Sequence, residues 1–517
     1  RGSPSRPGRA VKIVLAGYNV DREALDEVLR AFPGRLDLTP ETLSAAYARI
    51  SRDPRPADEL RRAARREVEK ARRSNAAIIF KMGHHSVAEH AVFNFDLMGI
   101  SRLAIEEIEK FRLCSFTEKS QRYIKLGDDY VVPEEIVRAG RGDLFVETVR
   151  AQNAAYHDLY RKLRPLFFET HPALAADPKH HSLLDGWAKE DARYAVSLAT
   201  EGQIGLTINA RNLELMIRRL AAKPSAEIRA IGLHLAGEAA RVAPSIVRYT
   251  EATAYDAETE EAFRDEAVQS LGSRPSAAAG RSRRSGSVSS AVRMAGATPE
   301  GDERVLAALL HASWGGSYAR CLREARRLPV RKKKALFLRV FERMEFYDLP
   351  PRAFEHAGLT FELTVSASCY AQLKRHRMAT LTAQAYDPGL GVTVPPSIEA
   401  AGEAPRFRDV IGRTEAAYRI LKEAAGPAAA YVLTNAHRRR VLLALNLREL
   451  THLARLREDA SAQWDIRRLA AEMSAAARAR FPLAAMLLCG KDAYPDVYAK
   501  IFGRPPDKTP PSSLKNG

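Results

Sequence analysis

Cysteine is rare in these 517 residues, and its four copies, Cys114, Cys321, Cys369 and Cys489, lie far apart with no Cys-x-x-Cys pair among them. That spacing argues against a disulfide framework and against a thiolate zinc site. None of the four sits in a recognisable reactive context, so no cysteine nucleophile is expected. Long apolar runs are missing too. Leu483–Cys489, the longest near the end of the chain, falls far short of the roughly 20 residues that cross a bilayer. Arg1–Ala10 is polar and basic and reads as no targeting segment. These absences point to a cytoplasmic, reducing setting without a membrane role. What the chain does have is 46% hydrophobic residues, enough for sizeable cores in two or more domains.

Acidic residues are outnumbered, 63 Asp+Glu against 81 Lys+Arg, leaving a formal net charge of +18. Such an excess suits phosphorylated ligands or nucleic acid. Part of it lies in Ser273–Gly301, where Arg274, Arg281, Arg283, Arg284 and Arg293 are scattered among Ser, Gly and Ala. This tract buries too little apolar surface to fold and reads as an inter-domain linker ahead of an RNA-binding segment.

In chain order, Val11–Leu15 reads as a short buried strand and Asp21–Ala31 as a helix. Thr39-Pro40-Glu41 supplies an N-cap, a proline at the first helical position and an acid in the first turn, which predicts a helix over Glu41–Ile50. Asp58–Arg73 is a charged helix with a solvated face. Gly83–His90 then gathers His84, His85, Glu89 and His90, but not in the HExxH spacing. Ordinary hydrogen bonding outweighs a metal there.

Two blocks repeat one pattern. The first runs Glu89-His90-Ala91, the alternating Phe93-Asn94-Phe95-Asp96-Leu97, Ser101 as an N-cap, and Lys110-Phe111-Arg112. The second runs Glu355-His356-Ala357, Leu359-Thr360-Phe361-Glu362-Leu363, and Arg375-His376-Arg377. Period-2 alternation followed by a helical segment predicts a strand and then a helix in each copy. Further helices are expected over Leu144–Leu163, Leu213–Leu235, Arg406–Ala425 and Ala444–Arg457, with a Pro-rich loop at Pro388–Pro396. On the last of these helices Arg448, His452 and Arg455 share a face. The domains expected are a first copy over 11–260, a linker over 261–301 and a second copy over 302–505.

On these motifs the chain resembles the flavin-dependent thymidylate synthases, whose hallmark is Arg-His-Arg followed by Ser, an acidic residue and Ser-x-Arg-Tyr. The first copy keeps Ser115, Glu118, Ser120, Arg122 and Tyr123 but carries Lys110 and Phe111 in place of Arg and His. The second keeps Arg375, His376 and Arg377 but then reads Thr380, Ala383, Ala385 and Asp387. The same complementarity recurs in two further arginines: Arg193 fits a nucleotide-contacting Arg where the second copy has Ala430, and Arg457 fits a ring-polarising Arg where the first has Leu220. Ser461 replaces a family His just before Ala462-Gln463-Trp464.

The resemblance implies an α/β fold, mixed helix and sheet, present in two fused copies. It implies FAD as cofactor, with NADPH and 5,10-methylenetetrahydrofolate as co-substrates and dUMP converted to dTMP. Substrate contacts are then expected from Gln372, Arg375, Ser120, Arg122 and Arg193. Flavin contacts are expected from His84, Ser86, Glu118, Arg375, His376, Arg377, Asn446, Arg448 and His452. Arg457 is the catalytic group, stabilising negative charge on the uracil ring, and no metal is expected. Family members are usually homotetramers, so a homodimer forming a pseudo-tetramer is expected. Two alternatives stay open: a non-catalytic or nucleic-acid-binding homologue, and methylation of uracil in another acceptor such as RNA.

Overall fold

A computed structural model describes residues 12–18, 27, 39–50, 53–55, 57–66, 68–81, 83–272 and 291–510. Grouped by contact, these form two units. The first comprises the described residues of Arg1–His157, Ala195–Pro275 and Arg406–Thr434; the second those of Asp158–Tyr194, Ser276–Pro405 and Asn435–Gly517. Each unit therefore takes in a segment from the other copy of the sequence.

The first unit is built on a four-stranded sheet of β1 (Lys12–Tyr18), β2 (Val92–Ser101), β3 (Cys114–Glu118) and β4 (Glu201–Asn209), in the order β1-β2-β4-β3 and antiparallel throughout. Its strands alternate because one face meets the core. On β2, Phe93, Phe95 and Leu97 are buried while Asn94 and Asp96 are exposed. The helices Ala210–Ala221 and Ala226–Val242 cover the buried face through Leu213, Met216, Ile217, Leu220, Ile231 and Leu235. A second core joins Phe145 and Val149 to Leu421, Tyr431 and Val432, and there Gln152 Nε2 donates to Thr414 Oγ1 and to the Val432 carbonyl, both at 2.8 Å.

The second unit repeats the plan with β5 (Val292–Ala297), β6 (Gly358–Ser366), β7 (Thr380–Ala383) and β8 (Arg438–Asn446), in the order β5-β6-β8-β7. Leu359, Phe361, Leu363 and Val365 point into its core, under the helices Leu447–Arg457 and Trp464–Arg480.

Caps and register tie the copies together residue by residue. Ser101 and Ser366 each cap the helix that follows, accepting from Ala104 N and Cys369 N at 3.0 Å. Asn209 and Asn446 do the same for Asn212 N (3.0 Å) and Glu449 N (2.8 Å). Such a cap contributes about 1 kcal/mol and fixes where the helix begins. In the sheets Glu118 pairs with Ile204 and Ala383 with Val441, each four pairs on from Cys114 with Ile208 in the first case and three from Thr380 with Ala444 in the second. Lys110 and Arg375, Glu107 and Gln372, Glu118 and Ala383, and Leu220 and Arg457 are thus equivalent positions.

Several expectations need adjusting. Ala444–Asn446 ends β8 rather than starting a helix, since Val441, Leu443 and Leu445 keep the strand alternation going. The stretch read as a linker holds, in its described parts, the end of a helix (Ala254–Leu271) and β5, whose Val292 and Met294 pair with Leu363 and Phe361. Residues 273–290, and the helix expected over Asp21–Ala31 apart from Glu27, lie outside the described residues.

Candidate functional site

The short helix Ala367–Leu373 follows β6 and delivers Gln372, and the turn beyond it carries Arg375, His376 and Arg377. Arg375 and Arg377 are exposed, whereas His376 between them is buried. The reason is local: Ala379 and Leu373 anchor the turn in the core, so the middle residue faces inwards. Arg457, at the end of the helix Leu447–Arg457, donates from Nε to His376 Nε2 at 3.1 Å. That nitrogen is therefore the unprotonated one, and Nδ1, which carries the proton, lies 3.4 Å from Glu449 Oε1. Burial pushes the imidazole below its ordinary value; Glu449 pulls the other way and the Arg457 charge adds to the lowering. A neutral His376 thus orients the Arg457 guanidinium. The His452 ring stands edge-on at 5.7 Å.

Gln372 is 8% exposed, and neither its Oε1 nor its Nε2 makes a hydrogen bond to the described residues. A buried amide left in that condition costs about 1–3 kcal/mol, which a ligand offering one donor and one acceptor would recover. At the same position the first copy has Glu107, held by Lys110 and Lys223.

Other expected residues are engaged by the protein itself. Asn446 Oδ1 serves as the helix cap. Arg448 donates from Nε to the Pro350 carbonyl at 2.9 Å and lies 3.8 Å from Glu355, repeating the Arg211–Glu89 ion pair of the first copy. Arg455 does not join a stripe with Arg448 and His452. It is buried, bonded to the Cys489 carbonyl (3.0 Å) and packed over the Tyr494 ring at 4.2 Å.

Arg193 belongs to the second unit, beside Tyr194, and donates to the Glu190 carbonyl at 3.2 Å. The Tyr194 hydroxyl donates to Asp465 Oδ2 (3.1 Å) and accepts from Gln463 Nε2 (2.9 Å), while Ser366 donates to the same carboxylate oxygen at 2.6 Å. Asp191 accepts from Trp464 Nε1 at 2.8 Å and from Ser397 Oγ. Burial raises its pKa to about 7. These buried polar groups escaped the sequence reading, although one signal existed: Tyr194 and Tyr431 stand at equivalent positions of the two copies.

His84, Ser86, Glu118, Ser120 and Arg122 fall in the first unit. Ser120 Oγ accepts from Arg122 N (3.1 Å) and Tyr123 N (3.4 Å), which folds the turn after β3 and sets the Arg122 guanidinium 5.4 Å from the Tyr123 ring. Glu118 lies 3.8 Å from the buried Arg102. His84 and Ser86 are exposed, Glu89 pairs with Arg211, and His90 packs on Tyr47. Among the described residues no group of His, Cys, Asp or Glu is arranged to hold a metal ion, and no helix is long and apolar enough to cross a membrane. All four cysteines are buried and unbridged.

The two repeats also match, separately, the family described as thymidylate synthase complementing protein, over residues 36–245 and 295–483. The chain belongs to that family and carries its unit twice. It is 30% identical over 177 residues to a flavin-dependent thymidylate synthase of Clostridium tetani, covering 34% of this chain and 68% of that protein. A flavin-dependent thymidylate synthase of Geobacter sulfurreducens is 33% identical over 171 residues, covering 33% and 66%. A UPF0159 protein of Chlamydia muridarum matches along much more of the length, at 24% identity over 424 residues, 79% of this chain and 78% of that one. Among solved structures, a UMP/dUMP methylase of Streptomyces cacaoi bound with 5-Br dUMP aligns with a TM-score of 0.33 and 16% identity over 47% of this chain and 95% of that chain.

Proposed function

We propose that the chain is a flavin-dependent enzyme that methylates dUMP to dTMP, with the family's residues divided between its two copies. The observation that carries this reading is the Gln372 carboxamide, buried without a hydrogen bond to the described residues, on the same short segment as His376, to which Arg457 donates. A carboxamide presents one donor and one acceptor side by side, which complements a uracil imide edge. A guanidinium held by a neutral imidazole keeps its full positive charge for negative charge developing on the ring oxygens, and so favours attack by C5. Family membership and the relatives' names support the flavin.

The residues present fit that cofactor by their chemistry. Arg375 and Arg377 are exposed cations suited to a diphosphate, and His452 and Arg448 stand on the helix that ends in Arg457. Reduced FAD, when bound, supplies the hydride that completes the methyl group, with NADPH as its reductant and 5,10-methylenetetrahydrofolate as carbon donor. From the first copy, Ser120 and Arg122 offer a hydroxyl and a forked guanidinium to the nucleotide phosphate, and Arg193 a further cation. The reading needs no cysteine nucleophile: all four cysteines are buried, and burial raises the thiols of Cys369 and Cys489.

The test is direct. Purified protein, loaded with FAD and given dUMP, NADPH and 5,10-methylenetetrahydrofolate, should form dTMP. Loading with flavin but no dTMP, alongside methylation of uracil in an RNA substrate, would transfer the activity to the other acceptor.

A further inference from the structure

Glu449 is the third residue of the helix Leu447–Arg457, the position from which a glutamate ordinarily reaches back to the backbone N–H of its own helix cap. Here it does not. The cap is closed from one side, by Asn446 Oδ1 accepting from Glu449 N at 2.8 Å, and the carboxylate turns to His376 instead, 3.4 Å from Nδ1. Glu449 is 7% exposed, and a carboxylate buried to that degree keeps its charge through what it pairs with. Among the described residues its side chain pairs with His376, and Nδ1 has no other acceptor.

The first copy lacks all three members of this chain of contacts at once. Counting from the paired caps, Asn212, Phe111 and Leu220 stand where the second copy has Glu449, His376 and Arg457. Asn212 has no imidazole to meet, and its Nδ2 turns back to Asn209 Oδ1 at 2.8 Å. The carboxylate therefore occurs in the copy that has an imidazole to hold, and the imidazole in the copy that has an arginine to hold.

We propose that Glu449 is a positioning residue: by accepting from Nδ1 it keeps the His376 proton there, so that Nε2 presents its lone pair to Arg457 and fixes the plane of the guanidinium. Which ring nitrogen carries the proton is set by the partner of the other. An imidazole in water favours the Nε2–H form. In that form two N–H groups would face each other, and the 3.1 Å bond from Arg457 Nε would be lost. Tied at Nε, the planar fork of the guanidinium cannot turn. The consequence for catalysis rests on the functional reading above; the place of the proton does not.

Nitrogen NMR of the full-length protein carrying nitrogen-15-labelled histidine tests this, with the His376 signals identified by their loss in His376→Phe. In the wild type the proton should sit on Nδ1. Glu449→Leu should move it to Nε2 with circular dichroism unchanged, whereas Glu449→Gln, whose amide oxygen still accepts, should keep it on Nδ1. In single turnover of the flavin-loaded protein with dUMP and 5,10-methylenetetrahydrofolate, Glu449→Leu should slow flavin oxidation at least about tenfold. Added to His376→Phe, which copies Phe111, it should slow it no further. If Glu449→Leu does not fold, Glu449→Asn places the first copy's own residue there and makes the same comparisons. A proton on Nε2 in the wild type, a proton that stays on Nδ1 in a folded Glu449→Leu, or additive losses of rate would each overturn the proposal. The expected tautomers without any dTMP formation would bring down the methylation reading and leave the hold of Glu449 on His376 standing.

Discussion

Tyr194 donates its hydroxyl to Asp465 across 3.1 Å, although the two residues are 271 positions apart and belong to different copies of the repeat. The first unit holds the counterpart with the copies reversed: Tyr431 donates to Glu227 at 2.6 Å, and Ser101 to the same carboxylate oxygen at 2.8 Å. Both hydroxyls are buried, and burial is the main reason their ionisation is pushed far up. Each carboxylate therefore has a neutral, permanent donor from the exchanged segment. Removing that donor leaves the carboxylate oxygen to the serine hydroxyl alone, so Tyr194→Phe and Tyr431→Phe should each cost about 1 kcal/mol. Urea unfolding monitored by circular dichroism measures this; a loss below a few tenths of a kcal/mol would show that the carboxylates find other donors.

Asp191 makes stability depend on pH in a direction unlike that of a paired surface carboxylate. Its ordinary value of 3.8 is raised to about 7 in the folded chain, mainly by burial, with Glu190 adding to the rise and Ser397, Trp464 and Arg193 opposing it. Between those values the folded state binds a proton that the unfolded state has released, so this group's contribution to stability falls as pH rises from about 4 to about 7. Asp191→Asn should flatten that part of the profile. Measured at pH 5 and pH 8, the variant should lose less stability across the interval than the wild type, by on the order of a few kcal/mol. Parallel profiles would mean that Asp191 stays ionised throughout.

The duplication, the strand-helix order and the complementary loss of motif residues were legible because they live in local patterns. Alternation at Phe93–Leu97 and Leu359–Leu363 shows which face is buried, and a serine cap shows where each helix starts. The exchange of Asp158–Tyr194 and Arg406–Thr434 between units was not legible, since a helix has the same periodicity whichever copy it packs on. β5 was hidden by its low-complexity neighbours. The role of Glu449 was hidden too: at the third position of its helix it reads as half of a capping box, and only the placement of His376 shows that the carboxylate turns elsewhere.

Flavin content should follow the division of motif residues. Only one combination of copies offers Arg375-His376-Arg377 together with Glu118, Ser120 and Arg122, so about one FAD per chain is expected on extraction and quantitation. The assembly expected alongside is a dimer of the 57.2 kDa chain, two fused copies replacing each pair of subunits of a tetramer. Light scattering that finds a fully active monomer, or extraction that finds two flavins per chain, would count against the division of labour.

The sharpest contrast lies between equivalent positions at the end of one helix, Arg457 in the second copy and Leu220 in the first. Arg457 donates to His376 and carries the charge proposed to face the uracil ring. Losing one charge-assisted bond costs about 1.5–3 kcal/mol, and more where the partner stays buried. Arg457→Ala should therefore slow single-turnover oxidation of the reduced flavin, with dUMP and 5,10-methylenetetrahydrofolate present, by at least tenfold. Its melting temperature should change little, since Arg457 is only partly buried. Leu220 is 1% exposed in the core of the first unit, so Leu220→Ala should do the reverse, costing about 2–5 kcal/mol of stability while the folded fraction turns over normally. Arg122→Ala should behave like Arg457→Ala, and Asp387→Ala should leave turnover near wild type. If folded Arg457→Ala and Arg122→Ala both keep wild-type rates, the catalytic assignment fails, and a binding role for this cationic site takes its place.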